Sequence, residues 1–580
     1  MRKVTIAPSA DAKKFFSTSG FFAGVWRPDG GCATRGGCGY MQTINAVVGA
    51  SCERYGVRPA LRHKENGIWR ETTYGELGRL SDRFAAGLLR EGFRPGDHAA
   101  LLGPSSPLWV AAYLGILKMG GVVVPIDKEL KEAELRHILR DSNARVVLSE
   151  GQWLELAREM AADLPDLMLA APLSGTIAGE ADAAPPILVA APPRTADDTA
   201  LILYTSGTGG RPKGAMLSHA NVVSNIRAAV AHLDLDDSIS TLSFLPINHV
   251  YEQVCGVLLP LSLGGVVTFC ESIKKLGENL AEVNPSFLTG VPAVYRMILD
   301  RIMKKVHKEP IGRMLFSFPP TRPLVQRKIR RAFGAKTIFV SGGAALDPAV
   351  AQGLISLGLT IYQGYGITET SPIISAETHG ARRLGSVGRP LPGVEVRIDN
   401  PNDEGVGEIV VRGDNVMQGY YRNPQATTAV LRDGWYRTGD LGKLDDDGFL
   451  TIYGRVKNLI VTPNGKNVYP EEVENELLKS PFIAEVMVYG HRTGSMEEEV
   501  HAMIYPDQEA LDDYAGRQSG GPTLSNGELE ALLKREVQTA CRTLADYKRV
   551  RRFTIRGEEF PKTSTRKIKR YEVEATISAL

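Results

Sequence analysis

The residues best suited to chemistry crowd into positions 204–214, YTSGTGGRPKG, where four glycines, the hydroxyls of Thr205, Ser206 and Thr208, and one lysine fall within eleven positions. Glycines such as Gly207 let backbone approach an anion closely, the hydroxyls donate to phosphate oxygens, and Lys213 adds a point charge. Such a loop fits a polyphosphate. The Walker pattern of NTPases demands Gly-Lys-Ser/Thr, whereas Lys213 follows Pro212 and precedes Gly214, so that reading fails. The bland alternative is a surface turn, the usual fate of Gly/Ser/Thr/Pro clusters.

Further candidates follow along the chain. TIFVSGGAAL (337–346) and LTIYQGYGITET (359–370) are apolar runs that end in glycines, and ligands in open α/β sheets collect at the C-terminal ends of strands. Gly342, Gly343 and Ala344 are small enough for a flat base to lie on backbone, Tyr365 offers a ring to stack on it, and Glu369 offers a carboxylate for a hard divalent cation. In GWYRTGD (434–440), Asp440 can accept from both hydroxyls of a ribose, or simply sit in a turn. His249, in LPINHVYEQ (245–253), borders a mainly apolar segment reaching Leu263. A lone histidine there reads first as a structural residue.

These residues need rigid elements to hold them. The run TALILY (199–204) suits a buried strand and 218–230 carries helical spacing, so the glycine loop is expected between strand and helix. Residues 41–155 alternate helical patterns (77–92, 108–119) with apolar strands (99–102, 122–125, 146–149), which implies layered α/β structure. Residues 165–196, rich in Ala and Pro, read as a loose connector, and 407–454 as β-rich.

The chain has 580 residues, 43% of them apolar, which is enough for two or more domains. A formal net charge of +2 argues against a nucleic-acid binder. Six scattered cysteines fit a reducing compartment, with the cytoplasm as the default. Residues 301–331 hold ten Lys/Arg against the single acid Glu309. This reads as a solvated helical face, with an anionic membrane leaflet or the phosphates of ATP or CoA as alternative partners. Residues 1–40 differ in texture and are expected to be a disordered extension.

The glycine loop, GYGITE, TGD, GRVKNLIV (454–461) and FPKTSTRKIKR (560–570) occur in the order found in the adenylate-forming superfamily of acyl-CoA synthetases, luciferases and peptide adenylation domains, which the chain resembles from about residue 41 to its end. The resemblance implies a large adenylation domain (41–454) of layered α/β subdomains plus a β-rich one, followed by a small mobile α+β lid (455–580). It implies ATP contacts from Thr205, Ser206, Gly207, Thr208, Lys213, Gly343, Ala344, Tyr365, Gly366, Thr368, Asp440 and Arg455. Thr208 and Glu369 would hold magnesium, Lys457 would mark the hinge, Gly465 would let a thin tunnel pass to the thiol, and Lys567 would be the catalytic lysine. His249 now becomes a residue that orients the substrate carboxylate, its His-x-Tyr-Glu form being similar to the long-chain branch. Two departures stand out: Gly209 replaces a usual threonine, and Arg566 a usual glycine.

The expected activity is ATP-dependent conversion of a medium- to long-chain fatty acid to acyl-AMP and then acyl-CoA, with Mg2+, ATP and coenzyme A, in the cytoplasm or peripherally at the inner face of the membrane. The alternatives are a fatty acyl-AMP ligase that loads a carrier protein, or a silent acyl or nucleotide binder; the latter would be expected to lack Lys567 or Glu369, and both are present.

Overall fold

The computed structural model describes residues 43–175, 195–205, 211–334, 336–492, 498–518, 524–563 and 567–577. The 1–40 extension lies outside them.

Two large sheets form the first layers. In one, the parallel strands Val122–Ile126, His98–Leu102 and Ala144–Ser149 are almost wholly buried, as strands covered on both faces must be. Helices Tyr74–Arg90 and Pro107–Lys118 pack against one another. The first begins at a reciprocal Thr73–Glu76 capping box, the second at Ser106 followed by Pro107. A Cβ at Gly115 would lie 2.5 Å from that of Phe84, so this contact requires glycine. Each large side chain such as Phe84 or Leu101, fully buried here, contributes about 2 kcal/mol of transfer free energy.

The second sheet sets the site. Strands Ser240–Ser243, Phe287–Gly290, Ile338–Ser341 and Thr360–Gly366 run parallel in that spatial order, so their C-terminal ends open along one edge. That edge carries residues 244–249, 291, 342–346 and 367–369. An antiparallel sheet follows, in which Trp435–Leu444 pairs with Gly407–Arg412 on one side and Leu450–Arg455 on the other.

A separate core of Ile460, Val468, Val473, Leu477, Val488 and Leu533 builds the small C-terminal domain. Its sheet joins Ile483–Arg492, Glu498–Pro506 and Arg552–Ile555. The expected α/β class, with a β-rich subdomain and a small C-terminal domain, is the fold observed. The 454/455 division falls inside the strand Leu450–Arg455.

Two local expectations are corrected. Leu169–Pro172, inside the expected connector, is an edge strand on Ala144–Ser149; four residues of Leu, Ala and Pro carry too little β-propensity to announce it. The glycine loop joins two antiparallel strands, Thr199–Thr205 and Lys213–Ser218, and the helix His219–Leu233 starts only after the second. Ala215 and Leu217 bury the same face, a period-two signal too short to separate from the helix that follows.

Candidate functional site

The hairpin brings Thr205 opposite Lys213 and Tyr204 opposite Gly214. Ser206, Gly207, Thr208 and the departure Gly209 lie outside the described residues. Lys213 Nζ stands 5.2 Å from the centre of the Tyr420 ring, a cation–π contact. Tyr420 belongs to the short strand Gly419–Tyr420, which pairs with Lys213–Ser218, and its hydroxyl donates to Glu369 Oε1 at 2.9 Å. Hairpin, tyrosine and carboxylate are therefore one linked unit.

Glu369 sits in the single turn Thr368–Thr370, buried at 9% exposure. Burial raises its pKa above the usual carboxylate value, while hydrogen bonds and the Arg455 charge oppose that rise. A carboxylate in this buried setting suits a hard cation. No group of three or more His, Cys, Asp or Glu that could hold a metal occurs among the described residues. Glu369 offers the single-carboxylate ligation that Mg2+ accepts when phosphates supply other ligands.

Asp440 is bound on both oxygens: the Tyr365 hydroxyl donates to Oδ2 at 2.6 Å, and Arg455 Nε lies 2.8 Å from Oδ1. Strand pairing sets this up, because Asp440 faces Arg455 directly in the ladder. Thr438 Oγ1 accepts from the Asp440 amide at 3.0 Å, and Gly439 takes φ +70°, which turns the carboxylate inward. Burial, with the Asp440 charge next, holds the Tyr365 phenol well above its ordinary pKa, so it stays a donor.

Gly343 makes the turn after Ile338–Ser341 at φ +80°, and Gly343 and Ala344 are exposed. A Cβ at Gly342 would meet the Tyr251 ring at 3.0 Å. Gly366 has a packing reason of its own: a Cβ there would fall 1.8 Å from the Pro372 carbonyl oxygen. Thr368 begins the turn that carries Glu369 and is half-buried.

Lys567 comes from the far end of the chain to this cleft. The Thr563 amide donates to its carbonyl at 2.8 Å, its own amide donates to Thr563 Oγ1 at 3.1 Å, and Ile568 bridges to Lys562, while the departure Arg566 lies outside the described residues. Its side chain is open to solvent within the cleft although protein mass surrounds it. That enclosure, and then the Arg455 charge, push its pKa below the ordinary lysine value, against Asp440. His249 Nε2 lies 3.7 Å from Asp127 Oδ2, and its pKa is lowered by burial, raised by Asp127 and lowered again by Lys567. His249 and Lys567 thus sense one another across the cleft. Lys569 stands 4.0 Å from Glu134, and Arg296 donates to the Leu478 carbonyl at 3.3 Å, so further contacts join the two domains.

Gly465 is outside this linked set. It sits exposed at a hairpin tip between Ile460–Val461 and Asn467–Val468, at φ +70° with open space where a Cβ would project. Sequence reasoning missed Tyr420 and Asp127: a tyrosine in QGYYRN and an aspartate in PIDKEL carry no pattern of their own.

The profile of the AMP-binding enzyme family matches residues 48–421. The chain belongs to the AMP-binding enzymes. It is 31% identical over 553 residues to the long-chain-fatty-acid–CoA ligase FadD15 of Mycobacterium bovis, covering 87% of this chain and 90% of that protein. It is 35% identical over 460 residues to a feruloyl-CoA synthase of an Amycolatopsis species, covering 77% and 85%. ATP-bound MatB of Rhodopseudomonas palustris has a similar fold, with TM-score 0.74 and 26% identity, covering 92% of this chain and 99% of that one. The chemistry common to AMP-binding enzymes of this kind is ligation of an acid to CoA through an adenylate, and ATP and CoA are its small-molecule substrates.

Proposed function

We propose that this AMP-binding enzyme activates a medium- to long-chain fatty acid with ATP and passes the acyl group to coenzyme A, releasing AMP and pyrophosphate. The observation that carries the reading is that Lys567, Asp440, Arg455 and Glu369 converge on one cleft that His249 also faces. The resemblance to long-chain ligases supports the choice of acid.

In this reading His249, steered by Asp127, orients the carboxylate. One of its oxygens attacks the α-phosphorus of ATP and the bond to pyrophosphate breaks. Lys567 and Lys213 stabilise the charge that develops on the phosphates, and Asp440 holds the ribose. Magnesium, held by Glu369 with Thr208, would neutralise phosphate charge. A thiolate then attacks the acyl carbon and AMP leaves. The free Cys52, Cys255, Cys270 and Cys541 fit a reducing cytoplasm. Domain limits at 1–40, 41–454 and 455–580 belong to the same proposal.

A second reading, an aromatic acid, rests on the similarity to feruloyl-CoA synthase. The test is pyrophosphate release across a panel of aliphatic and aromatic acids, each with CoA, with a carrier protein, or with neither. Turnover fastest on aliphatic acids of eight or more carbons (~8, the lower end of the medium-chain class) and dependent on CoA is expected. Preference for cinnamic-type acids overturns the fatty-acid assignment, and thioester formed only on the carrier overturns CoA as acceptor.

A further inference from the structure

Helices Pro292–Lys308, Pro310–Ser317 and Arg322–Phe333 pack consecutively against one another. Their inner side is anchored: Val294, Tyr295 and Ile298 are buried in the core cluster, with Ile302, Ile329 and Phe333 packed against it. The outer side is unusual in two independent respects. It presents the basic residues of 301–331 with almost no acidic neighbours; among the described residues the ion pair formed by this stretch is Lys304 with Glu509, 3.9 Å apart and both well exposed. Arg322 turns inward, donating to the Phe316 carbonyl at 3.1 Å. Leu324, 61% exposed, stands at i−3, i−4 and i−7 from Arg327, Lys328 and Arg331 and so shares their helix face, and the preceding helix exposes Met314 at 64% and Phe318, just past its end, at 59%, large apolar groups the core does not need.

A solvated charged face has no use for three such side chains within eleven positions, since each leaves apolar area in water. A purely electrostatic partner leaves them unexplained too. Basic and apolar side chains together match the boundary of an anionic bilayer, where phosphate headgroups meet the acyl region. Among the described residues no helix is long and apolar enough to cross a membrane, so the contact would lie on the surface. We propose that the outer face of residues 310–331 docks this enzyme on anionic phospholipid, with Met314, Phe318 and Leu324 entering below the headgroups. This inference does not depend on which acid is activated.

Each Lys or Arg close to an anionic leaflet contributes roughly fivefold in binding, so the preference for charged lipid should be large. The experiment is flotation of the full chain with vesicles of phosphatidylcholine, alone or with about 30% phosphatidylglycerol. The wild-type protein should favour the anionic vesicles by at least roughly tenfold. The combined variant Arg327→Glu, Lys328→Glu, Arg330→Glu should lose that preference, and the combined variant Met314→Gln, Phe318→Gln, Leu324→Gln should bind at least roughly tenfold more weakly. Pyrophosphate release in vesicle-free buffer should be unchanged in both, which certifies their fold. As a variant that perturbs less, Phe318→Trp should shift its emission to the blue on anionic vesicles. Equal binding to both vesicle types, no effect of the apolar substitutions, an unshifted Phe318→Trp emission, or displacement by duplex DNA at phosphate concentrations equal to the lipid would each overturn the proposal, the last in favour of a nucleic-acid face.

Discussion

The Tyr420 hydroxyl donates to Glu369 Oε1 at 2.9 Å, and it reaches that carboxylate because the strand Gly419–Tyr420 pairs with the second strand of the glycine-loop hairpin. A residue without a signature thereby ties two signature motifs together. Tyr420→Phe removes a charge-assisted bond worth about 1.5–3 kcal/mol and should raise the magnesium concentration needed for half-maximal pyrophosphate release. Glu369→Gln should raise it further, with partial rescue by excess magnesium. Two variants with wild-type magnesium dependence would remove the metal from this carboxylate.

Asp440→Ala should raise the KM for ATP by roughly tenfold or more, since it removes acceptors worth about 1.5–3 kcal/mol each before solvent competition. The KM for the acid should change far less. Steady-state kinetics with each substrate varied in turn checks this, and a defect confined to the acid would move Asp440 to the acyl pocket.

Lys567→Ala should slow acyl-AMP formation on the order of 10² to 10³, the usual cost of losing one preorganised donor to developing negative charge. Given synthetic acyl-AMP and CoA, the variant should form thioester at nearly the normal rate. Because its pKa is pushed down, adenylation should fade with rising pH earlier than an ordinary lysine would allow, and Lys567→Arg should move that alkaline limb upward. The role is falsified if both half-reactions fall equally.

Glu252 offers a test of stability rather than activity. It is fully buried in the π-helix Glu252–Leu258, where Thr289 donates to Oε2 at 3.1 Å, and burial raises its pKa to about 7 against the help of that bond. Below the unfolded-state value both states hold the proton. As pH rises towards 7 the unfolded state releases it first, so stability falls, by up to about 3 kcal/mol, and stays reduced above that range. Glu252→Gln should therefore raise the denaturation midpoint at pH 8 (about one unit above the shifted pKa) but not near pH 4.5. Equal effects at both pH values would contradict the buried, proton-holding carboxyl.

The motifs were legible because glycine, hydroxyl and carboxylate spacing survives translation into geometry. Asp440 and Arg455 could be picked out separately, yet their ion pair depends on a ladder register, Asp440 opposite Arg455, that no local pattern encodes. The hairpin at Lys213–Ser218 was hidden for a related reason: six residues of strand run straight into the Ser218 cap of a helix, and the longer period dominates. Tyr420 and Asp127 act through partners far away in sequence, so only the folded chain exposes them.

Gly366 bears on how variation at this site should be interpreted. With the Pro372 carbonyl oxygen 1.8 Å from where its Cβ would stand, every other amino acid is barred by backbone before any nucleotide arrives. In a mutational library selected for turnover of any acid, this position should remain glycine, and so should one selected only for soluble expression. Invariance at Gly366 is thus a record of how two backbone segments meet, and it cannot by itself be credited to the ligand beside them.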